Sequence, residues 1–285
     1  MSLSQEQRAL LRWGEPVRRP LPWRSSRDPW AILVSEVMAQ QTKVDRVVER
    51  WEQFLQRWPT PDAAASAKLS EILGVWQGLG YPRRAKALWE SARVIAEAGR
   101  FPSELDDLLA LPGVGPYTAR AVQAFAFERD VGVVDTNIAR VLARRCGRRL
   151  SQREAQREAD EFVAAGHGWA HNQSLMDLGN RLCRPRPDCE QCPLSSWCVW
   201  ANDRGSLPDP AIGSAGVSTR QAPFEGSDRQ ARGRLLSALQ GGGVRAVDAH
   251  ALMGFEGDLE RARSIVDSLI RDGLVIVDGE LLRLP

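Results

Sequence analysis

No stretch of this 285-residue sequence is long and apolar enough to cross a bilayer, and the N-terminal MSLSQEQRALLRWGE lacks the apolar core of a signal peptide. Both absences point to the cytoplasm and away from any membrane partner. Excess charge of one sign is also missing: a formal net charge of +2 does not by itself suggest nucleic acid. Strand-like alternation is almost absent before residue 200, so the main body reads as all-α. A second Cys-x2-Cys pair, which a zinc site built from two knuckles would use, is lacking as well.

What the sequence does contain is unevenly placed. Four of its five cysteines fall in one window, Cys183-x5-Cys189-x2-Cys192-x5-Cys198. Without secretion signals, such crowding reads as metal or cluster ligation rather than disulfides. A compact loop with four thiolates suits a cubane iron–sulfur cluster better than zinc. Cys146 is left over and reads as a buried apolar side chain. Arginines also cluster, at Arg83 and Arg84 with Lys86, Arg144 and Arg145, Arg148 and Arg149, and Arg181, Arg184 and Arg186. Local stripes of this kind can meet phosphate even when the total charge is small.

The central stretch runs from Leu111 to Arg145, LPGVGPYTARAVQAFAFERDVGVVDTNIARVLARR. Gly113 and Gly115 bracket Val114, so a tight turn with positive φ can bring bare backbone N–H groups to the surface. A helix opens from Thr118 behind that turn, with Ala119, Val122 and Ala126 on one side. Backbone amides at a helix N-terminus grip a phosphate without reading bases. After the apolar run Val131 to Val134, Asp135 stands where the N-cap of the next helix is expected. Capping is the ordinary role of such a residue, and a catalytic one needs further context.

Helical patterns cover Gln5 to Trp13, ended by Gly14, then a helix from about Pro29 with Ile32, Leu33 and Val37 as its apolar face and Glu36 beside that stripe. A glutamate drawn into a cleft there would have a raised pKa and could donate a proton near neutrality. Further helices are expected over Val44 to Trp58, Ala67 to Trp76, Arg83 to Glu97, Gln152 to Ala164 and Trp169 to Leu182, with a loop tip at GLGYPRRA. Residues 203–226 are rich in Gly, Ser, Pro and Ala and read as a linker. Beyond it, helices over Asp228 to Gln240, Asp248 to Met253 and Asp258 to Arg271 precede a strand hairpin around Asp278-Gly279, a small winged-helix-like module over 227–285. Its eight arginines against nine acids leave its role open.

Taken in order, SEVMAQQT, GLGYPRRAKAL, LPGVGPYTARAV, VVDTNIARVLARR and the closing cysteines resemble the MutY-type adenine DNA glycosylases, of the helix-hairpin-helix endonuclease III superfamily. The resemblance covers roughly residues 20 to 200. It implies a mainly α fold, with a six-helix barrel over 25–130 and a helical domain over 1–24 and 131–202 holding a [4Fe–4S] cluster on Cys183, Cys189, Cys192 and Cys198. It also implies double-stranded DNA containing a mispair or lesion as the partner, engaged by a monomer. Carried over residue by residue, Glu36 donates a proton to the adenine ring and Asp135 stabilises the sugar cation, with Asn137 in support. Tyr117 stands where bifunctional relatives keep a Schiff-base lysine, which implies hydrolysis without efficient strand cleavage. Trp23, Arg24, Ala39 and Gln173 match the base pocket. Gln41 and Tyr81 match residues that enter the duplex as the base leaves, and Gly113, Gly115 and Thr118 the phosphate-gripping hairpin.

Three features depart from that pattern. Ala39 replaces the usual leucine, the first cysteine spacing is one residue short, and the tail is too short and of the wrong pattern for the Nudix-like domain that recognises 8-oxoguanine. Ala39 keeps open a thymine or uracil glycosylase acting on G:T or G:U. A non-catalytic iron–sulfur protein that binds DNA structure is the third reading, against which stand two carboxylates that a binder of phosphate has no use for.

Overall fold

The computed structural model describes residues 2–203, 208–217, 223–255 and 257–285. In chain order its helices are α1 (Gln5–Val17), α2 (Pro29–Ala39), α3 (Val44–Arg57), α4 (Pro61–Ala65), α5 (Leu69–Val75), α6 (Arg83–Ala98), α7 (Leu105–Leu109) and α8 (Pro116–Phe125). They continue as α9 (Thr136–Cys146), α10 (Gln152–Phe162), α11 (Gly168–Arg181), α12 (Val199–Asn202), α13 (Asp228–Gln240), α14 (Ala249–Met253) and α15 (Leu259–Arg271). Three short strands, β1 (Val244–Arg245), β2 (Ile276–Asp278) and β3 (Leu281–Arg283), form one antiparallel sheet in the order β1-β3-β2. The chain is therefore mainly α, as its periodicity indicates.

Backbone contacts divide the chain into two compact units. The first comprises Met1–Ile32, Ser103–Leu109 and Val114–Arg220. Its core gathers Leu10 of α1, Ile138 and Leu142 of α9, Phe162 of α10, and Leu175 and Leu178 of α11, all buried. A capping box starts α1, with the Gln7 N–H donating to Ser4 Oγ and the Ser4 N–H to Gln7 Oε1. The helix does not stop at Gly14. A Cβ there would lie 2.0 Å from Ser174 Oγ, so this glycine is the point where α1 presses on α11, and the helix runs on through Pro16 to Val17. The Gly- and Ser-rich segment read as a linker has an anchored middle: Ala211 is buried in the core. The Leu150 N–H donates to Ser214 Oγ (3.1 Å) and the Ala215 N–H to the Leu150 carbonyl (2.9 Å). Residues 204–207 and 218–222 of that segment lie outside the described residues.

The second unit comprises Leu33–Pro102, Ala110–Gly113 and Gln221–Pro285. Every residue of α2 from Trp30 to Met38 is buried, so this helix has no solvent face and the amphipathic reading of it is corrected. The C-terminal module forms the expected three helices and hairpin, with Gly279 at φ +61° in the turn. Strand β1 was not legible because it is two residues long; Val244 simply pairs Leu282. Within this unit the module rests on α5 and α6. Gln240 Nε2 donates to the Ser70 carbonyl (3.2 Å), the Ser70 N–H donates to the Pro285 carbonyl (3.3 Å), and Arg83 pairs with Asp272.

Candidate active site

The hairpin before α8 uses its glycines differently. Gly113 has φ +72°, and a Cβ on it would meet the Ala87 side chain at 2.6 Å, so both conformation and space require glycine. Gly115 does not share the positive φ expected of it. At φ −95° it is the extended N-cap of α8, which begins at Pro116, two residues ahead of Thr118. Pro at the first helical position has no N–H to leave unpaired. Tyr117 is half-buried and Thr118 fully buried.

Asp135 is delivered by an extended stretch that other helices pin in place. The Gly132 N–H donates to Asp160 Oδ1 of α10 (2.9 Å) and the Val133 N–H to Asn172 Oδ1 of α11 (2.9 Å). Asn172 returns a bond from its Nδ2 to the Val131 carbonyl (2.9 Å). Asp135 then caps α9: its Oδ1 accepts the Ile138 N–H (2.7 Å) and its Oδ2 accepts Asn137 Nδ2 (3.0 Å). Burial pushes its carboxyl above the ordinary aspartate value, against the downward pull of those donors and of Arg140. Asp135 and Asn137 thus form one hydrogen-bonded pair at the head of α9.

Behind the pair stands Arg140, which sequence reasoning passed over. Its Nη2 donates to Asn137 Oδ1 (2.9 Å) and the Gly179 carbonyl (2.6 Å), while Nε donates to the Cys183 carbonyl (2.6 Å). One turn of α9 spacing, VDTNIAR, is the signal that could have found it. Gly179 lets α11 approach this close, because a Cβ there would sit 2.6 Å from the Asn137 Cβ. Gly179→Ala is accordingly expected to destabilise the fold by about 1–3 kcal/mol through overpacking and to displace Asn137. A urea midpoint equal to that of the parent protein would contradict this contact.

Of the residues matched to a base pocket, Trp23, Arg24 and Gln173 lie in this first unit and all are buried. Arg24 forks onto Asp177, Nη1 to Oδ2 at 2.7 Å and Nη2 to Oδ1 at 3.1 Å, and Arg19 joins the same carboxylate at 3.0 Å. Its donors therefore serve a buried ion pair that orders the LPWR turn. Gln173 Oε1 is buried with no donor among the described residues. His171, on the same helix α11, is pushed down to about 3 by burial and then by the Arg145 charge. It is neutral at physiological pH and stands edge-on to Phe162, so it is no proton donor there.

In the second unit, Glu36 is 8% exposed on a helix that is buried on every side. Ala39 closes that helix and is half-buried. Gln41 (φ +52°) and Tyr81 (φ +49°) are two of the three non-glycine residues described with positive φ. Such strain is found where surrounding structure over-determines it, and often at functional positions. Arg84 supplies that structure. It donates to the carbonyls of Val37 (2.8 Å), Leu79 (3.0 Å) and Gly80 (3.0 Å), tying the end of α2 to the GLGY loop. Burial lowers its pKa to about 10.

The arginine clusters consequently need correcting as phosphate stripes. Arg84 faces carbonyls, Arg83 pairs with Asp272, Arg144 with Asp209, Arg145 with Glu6, and Arg148 with Glu154 and Glu158. Arg181, Arg184 and Arg186 remain exposed and without an acidic partner among the described residues. Cys183, Cys189, Cys192 and Cys198 line one small cavity with Arg144, Leu182 and Trp200. Burial, and then the mutual repulsion of the thiolates, pushes Cys192 up to about 11. Among the described residues no three His, Cys, Asp or Glu side chains are placed to hold a metal ion. Four sulfur donors around one cavity are by their chemistry a set that suits a soft, thiophilic metal centre. Cys146 is half-buried, and its thiol lies 3.3 Å from Glu158 Oε2, so the apolar reading of it is only partly right.

A family model described as HhH-GPD superfamily base excision DNA repair protein matches residues 34–165. An adenine DNA glycosylase of Mycobacterium tuberculosis (strain CDC 1551 / Oshkosh) is 40% identical over 282 residues, covering 95% of this chain and 90% of that protein. A match of that extent takes in the C-terminal module. The adenine DNA glycosylase of Homo sapiens is 40% identical over 208 residues, covering 67% of this chain and 38% of the human protein. Among solved structures, a thermostable thymine-DNA glycosylase superposes with a TM-score of 0.66 at 32% identity, covering 69% of this chain and 95% of that one. A non-covalent endonuclease III–DNA complex superposes with a TM-score of 0.60 at 23% identity, covering 71% of this chain and 99% of that one, a likeness of fold alone.

Proposed function

The chain belongs to the HhH-GPD superfamily of base excision DNA repair proteins, among the adenine DNA glycosylases, and on that premise we propose that it hydrolyses the N-glycosidic bond of adenine mispaired with 8-oxoguanine or guanine. Adenine is a poor leaving group as an anion, so an acid must protonate the ring while a fixed negative charge faces the cationic sugar. We assign the acid to Glu36 and the fixed charge to Asp135. The observation that carries this reading is Asp135 itself, whose two carboxylate oxygens are each held by a separate donor. A charge fixed before the reaction costs no reorganisation when the sugar cation develops. The buried Gln173 Oε1 is an acceptor suited to an exocyclic amine of an extruded base. Tyr117 offers no amine for a Schiff base, so base release proceeds by hydrolysis alone.

Cys183, Cys189, Cys192 and Cys198 would hold a [4Fe–4S] cluster, whose contribution there is to staple the loop bearing Arg184 and Arg186 rather than to react with the base. The second reading, thymine or uracil opposite guanine, draws on Ala39 and on the 32% identity to a thymine-DNA glycosylase. One assay separates the two: base release from A:8-oxoguanine, G:T and G:U duplexes under single-turnover conditions. Fastest release is expected from the first, with the phosphate backbone left intact until alkali is added. Faster release of thymine or uracil would replace the adenine reading.

A further inference from the structure

Tyr81 sits at the tip of the GLGY loop and is contacted by two arginines. Arg84 lies 5.4 Å from its ring centroid. Arg229, at the start of α13 in the C-terminal module, donates from Nη1 to Tyr81 Oη at 3.0 Å. The Arg229 guanidinium lies 5.8 Å from the Tyr81 ring centroid and 5.6 Å from that of Phe224, so it bridges the two rings. Phe224 is 57% exposed, a large apolar side chain left in water beside a loop that already bears backbone strain. The helix behind Arg229 is itself held, because α13 is tied at its other end to Ser70 by Gln240.

We infer that Arg229 is a positioning residue for Tyr81, and that the Phe224–Arg229–Tyr81 stack is the place where the C-terminal module, through Arg229, contributes to engaging mispaired DNA. This rests on the reading of Tyr81 as a residue that enters the duplex. A ring that must wedge into a base stack loses affinity if it first has to be ordered, and a hydrogen bond from a fixed cation orders it in advance. The exposed face of Phe224 adds a second flat surface next to the first. The module thus acts beside the loop tip, through aromatic contact and not through a helix in the major groove, in keeping with its near balance of charges.

The test uses the full chain and the variants Arg229→Leu, Tyr81→Phe and their combination. Tyr81→Phe keeps the ring and removes only the acceptor. Duplexes carry a non-hydrolysable 2′-fluoro-adenosine opposite 8-oxoguanine, with 2-aminopurine as the neighbouring base. Binding affinity and the rise in 2-aminopurine fluorescence on unstacking are read alongside the thermal midpoint. Each single variant is expected to weaken binding by roughly 5–10-fold, within the range for losing one ordinary hydrogen bond, and to blunt the fluorescence rise at an unchanged midpoint. The double variant should be no worse than Arg229→Leu alone, since Tyr81→Phe removes a bond that Arg229→Leu has already removed. Additive losses, or parental affinity and fluorescence in Arg229→Leu, would overturn the inference. Because neither readout needs bond cleavage, a parent protein that released no base would end the proposed function while leaving these comparisons to judge Arg229.

Discussion

Asp135→Asn is expected to keep the fold and lose the reaction. Asparagine caps a helix as well as aspartate does, and its side-chain oxygen can still take the Ile138 N–H that Asp135 accepts at 2.7 Å. What disappears is the negative charge opposite the sugar cation, and with it about 10²–10³-fold or more of the single-turnover rate. Stability should not follow activity down. Burial raises the carboxyl of Asp135, so the folded state holds that proton more tightly than the unfolded state does. Its contribution is then fully present below the ordinary aspartate pKa and is lost as pH rises through the folded value. The carboxamide has no proton to lose, which offsets the Asn137 Nδ2 bond that its amide nitrogen can no longer accept, and at neutral pH the Asp135→Asn variant should unfold at a urea concentration close to that of the parent. Asp135→Ala, which removes the cap as well, should fall by about 1 kcal/mol. Glu36→Gln is the companion variant and should lose on the order of 10²–10⁴-fold as an absent general acid. Full activity in either carboxamide variant would end the assignment of roles.

What the sequence makes legible is whatever depends on a residue's own backbone. Gly113 was readable because a turn into a helix demands positive φ from the chain itself, and Asp135 because a cap is a local event. Gly14 and Gly179 were not, since each is needed by a partner helix that sequence does not show. Read locally, Gly14 looks like a helix stop; in three dimensions it is a contact. The same limit governs charge. Arg84 and Arg144 look like phosphate ligands in a one-dimensional cluster, yet a guanidinium with five donors can as readily organise backbone carbonyls. Composition misleads in a related way over 209–217, where Gly, Ser and Ala suggest slack chain. Small residues are also what a tightly packed strap requires, and Ala211 and Ser214 are buried there.

Arg144→Met should produce the largest loss of stability, and it should take the cysteine loop with it. The side chain is almost wholly buried, and nothing about its donors is idle. Nε and Nη2 fork onto Asp209 at 3.1 and 2.6 Å. Nη1 reaches the carbonyl of Arg184 at 2.7 Å and both the carbonyl and Sγ of Cys183 at 3.3 Å, while Nη2 also meets the Pro185 carbonyl at 3.2 Å. Methionine preserves volume and apolar contact with Trp200 but leaves a carboxylate and three carbonyls without these donors. Removing one partner of a buried, hydrogen-bonded pair costs about 3–5 kcal/mol, where replacing both partners can cost little. The pair Arg144→Met with Asp209→Leu should therefore recover part of the loss, while Arg144→Lys, with no fork, should not. Since the same guanidinium fixes the backbone from Cys183 to Pro185, iron and acid-labile sulfide in the purified single variant should drop together with the urea midpoint. Loss of stability with iron retained would mean that the four cysteines hold their loop without Arg144. An unchanged midpoint would mean that the bonds of Ser214 and Ala215 to Leu150, and not this ion pair, are what hold the strap over 209–217.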